Sequence, residues 1–108
     1  MERGFFVEKK SKPNIFQRKN LPRSVKVLGH TIPIKVVEHL EDGGNELLGA
    51  YNAETKTIFL LKGCDRSVLL HEIIHAILHL SGASEGLTMS KEESICLSLE
   101  HGLWLLIQ

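Results

Sequence analysis

The sequence predicts an α+β fold, in which a small, mainly antiparallel sheet packs on two helices. Residues 25–61 contain short apolar runs separated by turn residues, which is typical of strands joined by hairpins. Residues after 65 instead carry apolar side chains at helical spacing, and Gly82 divides them into two segments. The chain has 108 residues, 43% of them hydrophobic, which suffices for one domain with a single modest core.

Residues 1–22 are polar and basic, contain Pro13 and Pro22, and show no sustained periodicity. We expect a flexible or partly docked arm there, followed by a domain over residues 23–108. Residues 1–24 carry seven Lys and Arg against two Glu, a net charge of +5, whereas the remainder carries −5. Such an arm is able to make weak contacts with nucleic acid or an acidic partner, and a solvated tail is the simpler interpretation.

Several classes of protein are excluded by the composition. The apolar stretch over residues 4–7 is too short for a secretory signal, and no apolar run approaches the roughly 18 residues that span a membrane. Two cysteines, Cys64 and Cys96, are too few for a secreted disulfide framework. We therefore expect a cytoplasmic protein without membrane contact.

The strand region predicts two hairpins and one loop. Its four apolar runs lie at residues 25–28, 32–37, 47–51 and 57–61. Residues 29–31 and 52–56 are the expected connections, and residues 41–45 have the composition of a loop. Because Pro33 has no N–H for a ladder hydrogen bond, we expect the second strand to begin there or to lie at an edge.

The helical region predicts two helices. Asp65 or Ser67 caps the first, which runs to Gly82 and is apolar almost all round, so we expect it to be buried. The second begins near Ser90, because Ser90 and Glu93 fit a capping box. Its apolar stripe consists of Ile95, Leu99, Leu103 and Leu106.

The first helix contains His71-Glu72-Ile73-Ile74-His75, an H-E-x-x-H sequence. Residues four apart lie on one face of a helix, so His71 and His75 can bind one metal ion, most often zinc. Glu72, one position along, can act as general base toward a water molecule at that metal. The motif therefore predicts a zinc hydrolase that acts on protein or peptide substrates, and we expect such a substrate to lie extended along the strand at residues 57–61.

A catalytic zinc site normally takes three protein ligands. From the residues alone the third ligand stays open among Glu85, Glu92, Glu93 and Glu100. The periodicity favours Glu92, because Glu92 falls on the stripe of Ile95, Leu99 and Leu103.

The H-E-x-x-H helix, the Gly82 spacer and Glu92-Glu93 opening an apolar helix resemble small phage and mobile-element zincin peptidases of the ImmA/IrrE-like group. The preceding residues 49–51 and 56–60 are similar to that family's strand pair. The resemblance implies a minimal zincin-like core, action in the bacterial host cytoplasm and Glu93 as third ligand, because the family's ligand Glu tends to precede a small residue, here Ser94.

Two alternatives stay open. Residues 75–85 are similar to the H-x-x-x-H-L-x-G-x-x-H pattern of bacterial rRNA-maturation endonucleases, which would make His75, His79 and Glu85 the ligands of a metal-dependent endoribonuclease. That family has His where this chain has Glu85. A zinc-stabilised binding module without catalysis is the other alternative.

Overall fold

A computed structural model describes residues 13–108 and confirms the predicted fold class, an α+β arrangement of a mostly antiparallel sheet with two helices. The strands are β1 (Ser24–Val27), β2 (His30–Val37), β3 (Glu41–Asp42), β4 (Asn45–Glu46), β5 (Gly49–Asn52) and β6 (Thr57–Leu61). The helices are α1 (Arg66–Leu80) and α2 (Met89–Ile107), and a 3-10 turn over Ala83–Gly86 connects them. Neither helix is long and apolar enough to cross a membrane.

The first predicted hairpin is present as the antiparallel pair β1–β2. Leu28 and Gly29 form its two-residue turn with φ angles of 49° and 83°, so glycine is suited to the second position. The prediction for Pro33 was wrong, because β2 begins at His30 and is an internal strand. Pro33 is tolerated because β6 pairs with β2 only from Ile34 onward, so no partner strand needs its missing N–H.

The four-stranded sheet has the order β1-β2-β6-β5, with β2 and β6 parallel and the other neighbours antiparallel. The predicted hairpin of β5 and β6 is therefore correct, and β5 is the edge strand. Residues 41–45, expected to be a loop, belong to a separate hairpin, β3–β4, which turns at Gly43 and Gly44, both with positive φ.

The main core lies between the sheet and α1. Its buried members come from three strands and the inner face of the helix: Val25, Val27, Ile32, Ile34, Ile58, Leu60, Leu69 and Ala76. Alternate strand residues point to this side, which is why the period-2 apolar pattern of the sequence is fulfilled here. The opposite side of α1 packs against α2 through Leu70, Ile74 and Cys96.

Both helix starts are capped by side-chain oxygens. Asp65 caps α1 as predicted, with its carboxylate accepting from the backbone N–H of Ser67. For α2 the predicted cap was wrong, because Thr88 and not Ser90 is the cap. The Thr88 hydroxyl accepts a hydrogen bond from the backbone N–H of Lys91 at 3.1 Å. Glu93 is therefore not part of a capping box.

The inward face of α2 differs from the predicted stripe. Leu99, Leu103 and Leu106 are 43%, 39% and 77% exposed. The inner face instead carries Cys96, which is fully buried, together with half-buried Trp104 and Ile107. The helix thus directs a mixed row of carboxylates and apolar side chains at α1.

The predicted arm over residues 1–22 lies partly outside the described residues, which exclude 1–12. Residues 13–22 contact the domain. The Phe16 and Trp104 rings meet edge to face with centroids 5.8 Å apart, and the Asn14 amide donates to the carbonyl of Ile107. The Arg66 guanidinium donates to the carbonyls of Ile15 and Lys19, so this part of the arm is docked.

Candidate metal centre

The two histidines of the motif lie one turn apart on α1 and share one carboxylate from α2. Their ring centroids are 5.0 Å apart. The Nε2 atom of His75 lies 3.0 Å from Oε1 of Glu93, and that of His71 lies 3.1 Å from Oε2 of the same residue. Since α2 runs antiparallel to α1, the first turn of α2 reaches the middle of α1 and places Glu93 opposite both rings.

The other nitrogen of each ring is held by a second carboxylate. The Nδ1 of His71 lies 2.9 Å from Oε1 of Glu100, and the Nδ1 of His75 lies 2.7 Å from Oε2 of Glu92. Because a carboxylate only accepts, each Nδ1 is the donor, and each Nε2 then faces Glu93 as the ring nitrogen available for a metal. A carboxylate behind each metal-binding histidine is the usual arrangement at zinc sites.

The donor set fits a tetrahedral zinc ion. Among residues 13–108, His71, His75 and Glu93 are the one group of three such side chains whose ligand atoms all lie within 4.8 Å of one another. Two ligand atoms bound to a tetrahedral zinc at the usual 2.0–2.1 Å are about 3.3 Å apart. The separations of 3.0–3.3 Å between the Glu93 carboxylate and the two Nε2 atoms are close to that value.

The carboxylates around His75 favour its protonated form in the absence of metal. Burial acts to lower the pKa of His75, but hydrogen bonds with Glu92 and Glu93 and the nearby Glu72 charge outweigh it and raise that pKa. Burial acts to raise the pKa of Glu92. Its contacts with His75, Ser84 and His79 together outweigh burial and lower that pKa. A metal cation would replace the proton on Nε2 of His75.

Glu72 occupies the buried side of the cluster and is only 5% exposed. Burial raises its pKa to about 7, against the lowering effect of His75 and His71. Within the described residues no hydrogen bond reaches its carboxylate, which lines the cleft in front of the histidines. A carboxylate of this pKa exchanges a proton readily near neutral pH, which is the property required of a general base.

The cleft has a volume of about 550 Å³ and is bounded by α1, α2 and the edge strand β5. Leu48 and Leu61 form a backbone-bonded pair, so by alternation Gly49 and Tyr51 direct their backbone N–H and C=O groups away from β6. The sequence suggested that substrate would lie along residues 57–61. That expectation was wrong, because β6 is paired on both sides, and the open edge is β5.

Strand β5 passes close to α1 at Gly49. A Cβ atom at this position would lie 2.6 Å from Cγ1 of Val68 and 3.2 Å from Oε2 of Glu72. Only a residue without a side chain lets the edge strand pass this close to the carboxylate. Gly49 therefore sets the distance between the open strand edge and Glu72.

His79 lies one turn beyond His75 and is hydrogen-bonded to the strand, with its Nδ1 3.0 Å from the hydroxyl of Tyr51. Both side chains line the cleft. The alternative ligand set of His75, His79 and Glu85 does not converge, and Glu85 is exposed in the 3-10 turn. Of the four carboxylates considered from sequence, Glu93 meets both histidines, whereas Glu92 and Glu100 each support one.

The supporting roles of Glu92 and Glu100 were missed from sequence. The signal was present in their spacing, because Glu92, Cys96 and Glu100 follow one another at four-residue intervals and thus share a helix face. The thiol of Cys96 lies between the two carboxylates on that face, and burial together with these charges raises its pKa to about 12. No protein-family model, curated protein or solved structure matches this chain.

Proposed function

We propose that the protein is a zinc-dependent metallopeptidase, with His71, His75 and Glu93 as metal ligands and Glu72 as general base. The observation that supports this most is the convergence of both Nε2 atoms on Glu93, beside a buried carboxylate that faces the same cleft. The free thiols of Cys64 and Cys96 are compatible with action in the cytoplasm.

A bound zinc ion would make a water molecule acidic and polarise the carbonyl of the scissile peptide bond. Glu72 accepts the proton of the attacking water, for which its pKa of about 7 is suited. It then delivers the proton to the leaving amine. Glu92 and Glu100 keep each imidazole oriented and in the tautomer that presents Nε2.

The open edge of β5 supports a peptide substrate. An extended chain can pair with the outward backbone groups of Gly49 and Tyr51 and extend the sheet by one strand. That position brings its backbone in front of Glu72, since Gly49 lies close to that carboxylate. The Tyr51 hydroxyl and His79 then lie at one end of the bound segment, within hydrogen-bonding reach of a polar group on it.

Metal content and peptide cleavage test the proposal together. We expect wild type and Glu72→Gln to hold one zinc per chain by elemental analysis, and only wild type to cleave a fluorogenic peptide library. His71→Ala should lose the metal, and His79→Ala should retain it. Metal retained by His71→Ala and lost by His79→Ala would instead indicate the nuclease ligand set, and stoichiometric zinc without any cleavage would indicate a binding module.

A further inference from the structure

We propose that the cleft is specific for extended peptide segments rich in Lys and Arg, an inference that rests on the proposed peptidase function for the identity of the site. Three connected clefts form one groove along β5, since each outer cleft shares lining residues with the central one. The groove runs from the β3–β4 hairpin, past the candidate metal ligands, to the start of α1.

Apart from its histidines, the ionisable side chains that line the groove are mostly acidic. Nine of the eleven acidic side chains in residues 25–108 line it, and no Lys or Arg of residues 13–108 does. The two acidic residues outside it are Glu38 and Glu85. One zinc ion would neutralise only two charges of this acidic set.

The carboxylates at the rim have no metal-supporting role. Glu41, Asp42 and Glu46 belong to the β3–β4 hairpin, and Glu54 lies in the turn after β5. All four are exposed, and none forms an ion pair within residues 13–108. They flank the path that a strand added to β5 would follow, which places them beside alternate side chains of a bound segment.

A second observation indicates a ligand in the same groove. The Glu72 side chain is 5% exposed, has no hydrogen-bond partner within residues 13–108, and faces into two of the three clefts. Since this carboxylate reaches the clefts, polar atoms of a bound segment can hydrogen-bond to it there. Positive side chains at the rim complement the remaining charge, whereas nucleic-acid phosphates would be repelled by it.

Binding of charged probe peptides tests the proposal separately from turnover. Zinc-loaded Glu72→Gln protein would be titrated with three fluorescein-labelled eight-residue peptides that carry Lys, Gln or Glu at alternate positions, with anisotropy as the readout. We expect the Lys peptide to bind at least about tenfold more tightly than the Glu peptide at 25 mM salt. This advantage should shrink at 500 mM salt because exposed charges are screened.

A matched pair of variants locates the effect. Asp42→Asn with Glu46→Gln removes two charges from the rim, and Glu38→Gln with Glu85→Gln removes the same charge elsewhere. We expect about fivefold weaker binding of the Lys peptide to the rim variant and unchanged binding to the control. Equal binding of Lys and Glu peptides, absent binding, or equal losses in both variants would overturn the proposal. Rim-dependent binding of the Lys peptide without cleavage by wild type would refute the peptidase function and leave the preference for basic segments standing.

Discussion

The Nδ1 atom of His75 lies 2.7 Å from Oε2 of Glu92, whereas the Nε2 atom of the same ring lies 3.0 Å from Oε1 of Glu93. Two consecutive glutamates thus contact opposite nitrogens of one imidazole. The side chains of Glu92 and Glu93 are 21% and 51% exposed, so the first is enclosed behind the ring and the second faces the cleft. Their expected roles are therefore different, although the two residues are chemically identical.

We predict that Glu93→Ala and Glu92→Gln weaken zinc binding to different extents. Loss of Glu93 removes a ligand, and loss of the Glu92 charge removes only the partner of Nδ1, which typically costs about 10- to 100-fold in affinity. Competition with a chromogenic chelator measures both constants, with Glu85→Gln as an unaffected control. A larger loss of zinc affinity for Glu92→Gln than for Glu93→Ala would show that Glu92 is the ligand and Glu93 the supporting residue.

The choice between these glutamates shows where sequence reasoning was sufficient and where it was not. The spacing of His71 and His75 specifies their shared helix face, because helical geometry alone determines it. The face of α2 that meets them depends on tertiary packing, and the periodicity of Leu99 and Leu103 indicated the wrong one. Resemblance to a family selected Glu93, which is the carboxylate that the structure brings to both rings.

We predict that Glu72→Gln stabilises the metal-free protein at pH 8. The folded-state pKa of Glu72 is raised from 4.5 to about 7, so the folded state favours the protonated form and loses stability as the pH rises between these values. The shift corresponds to about 3 kcal/mol, and glutamine avoids this cost. Urea denaturation in EDTA at pH 5 and pH 8 measures the difference.

The raised pKa of His75 acts in the same direction in the metal-free protein. Its ion pairs stabilise the fold below pH 6.5 and are lost as the pH rises through the folded-state pKa. Stabilisation by added zinc should instead increase with pH, because the ligands must be deprotonated to bind it. Wild-type stability in EDTA that rises from pH 5 to pH 8 would contradict the assigned environment of Glu72.

We predict that Gly49→Ala lowers turnover while zinc affinity is retained. The added Cβ would overlap Val68 and press on the Glu72 carboxylate, and its three nearest neighbours include no atom of His71 or His75. We expect at least about a tenfold fall in kcat, since a small displacement of a general base is costly. Gly86→Ala is the matched control, because its Cβ has no neighbour within 4 Å and its φ is ordinary.

A second variant distinguishes the effect of steric overlap with Val68 from the effect of displacing Glu72. Adding Val68→Ala to Gly49→Ala removes the closest contact, at 2.6 Å, and leaves the one with Glu72. We expect the double variant to regain thermal stability relative to Gly49→Ala and to remain slow. Recovery of full turnover would show that the close approach matters only for packing against Val68.

The position of β6 illustrates a different limit of the sequence. The apolar run of residues 57–61 predicts a strand, and such a run is the same for an edge strand and an internal one. The parallel pairing of Val36 with Leu60 joins segments that are far apart in the chain, and no local turn residue encodes it. The hairpins, in contrast, follow from short connections such as Leu28-Gly29.

We predict that the two apolar faces of α2 differ sharply in their contribution to stability. Trp104 is half-buried against Phe16 and the second core cluster, whereas Leu106 is 77% exposed. Truncation of a packed aromatic residue leaves a cavity, so Trp104→Ala should lower the free energy of unfolding by about 2 kcal/mol or more. Leu106→Ala should change it by less than about 0.5 kcal/mol, as for other exposed positions. Chemical denaturation of both variants decides this, and the reverse order would mean that the face predicted from the leucine spacing is the one that packs in solution.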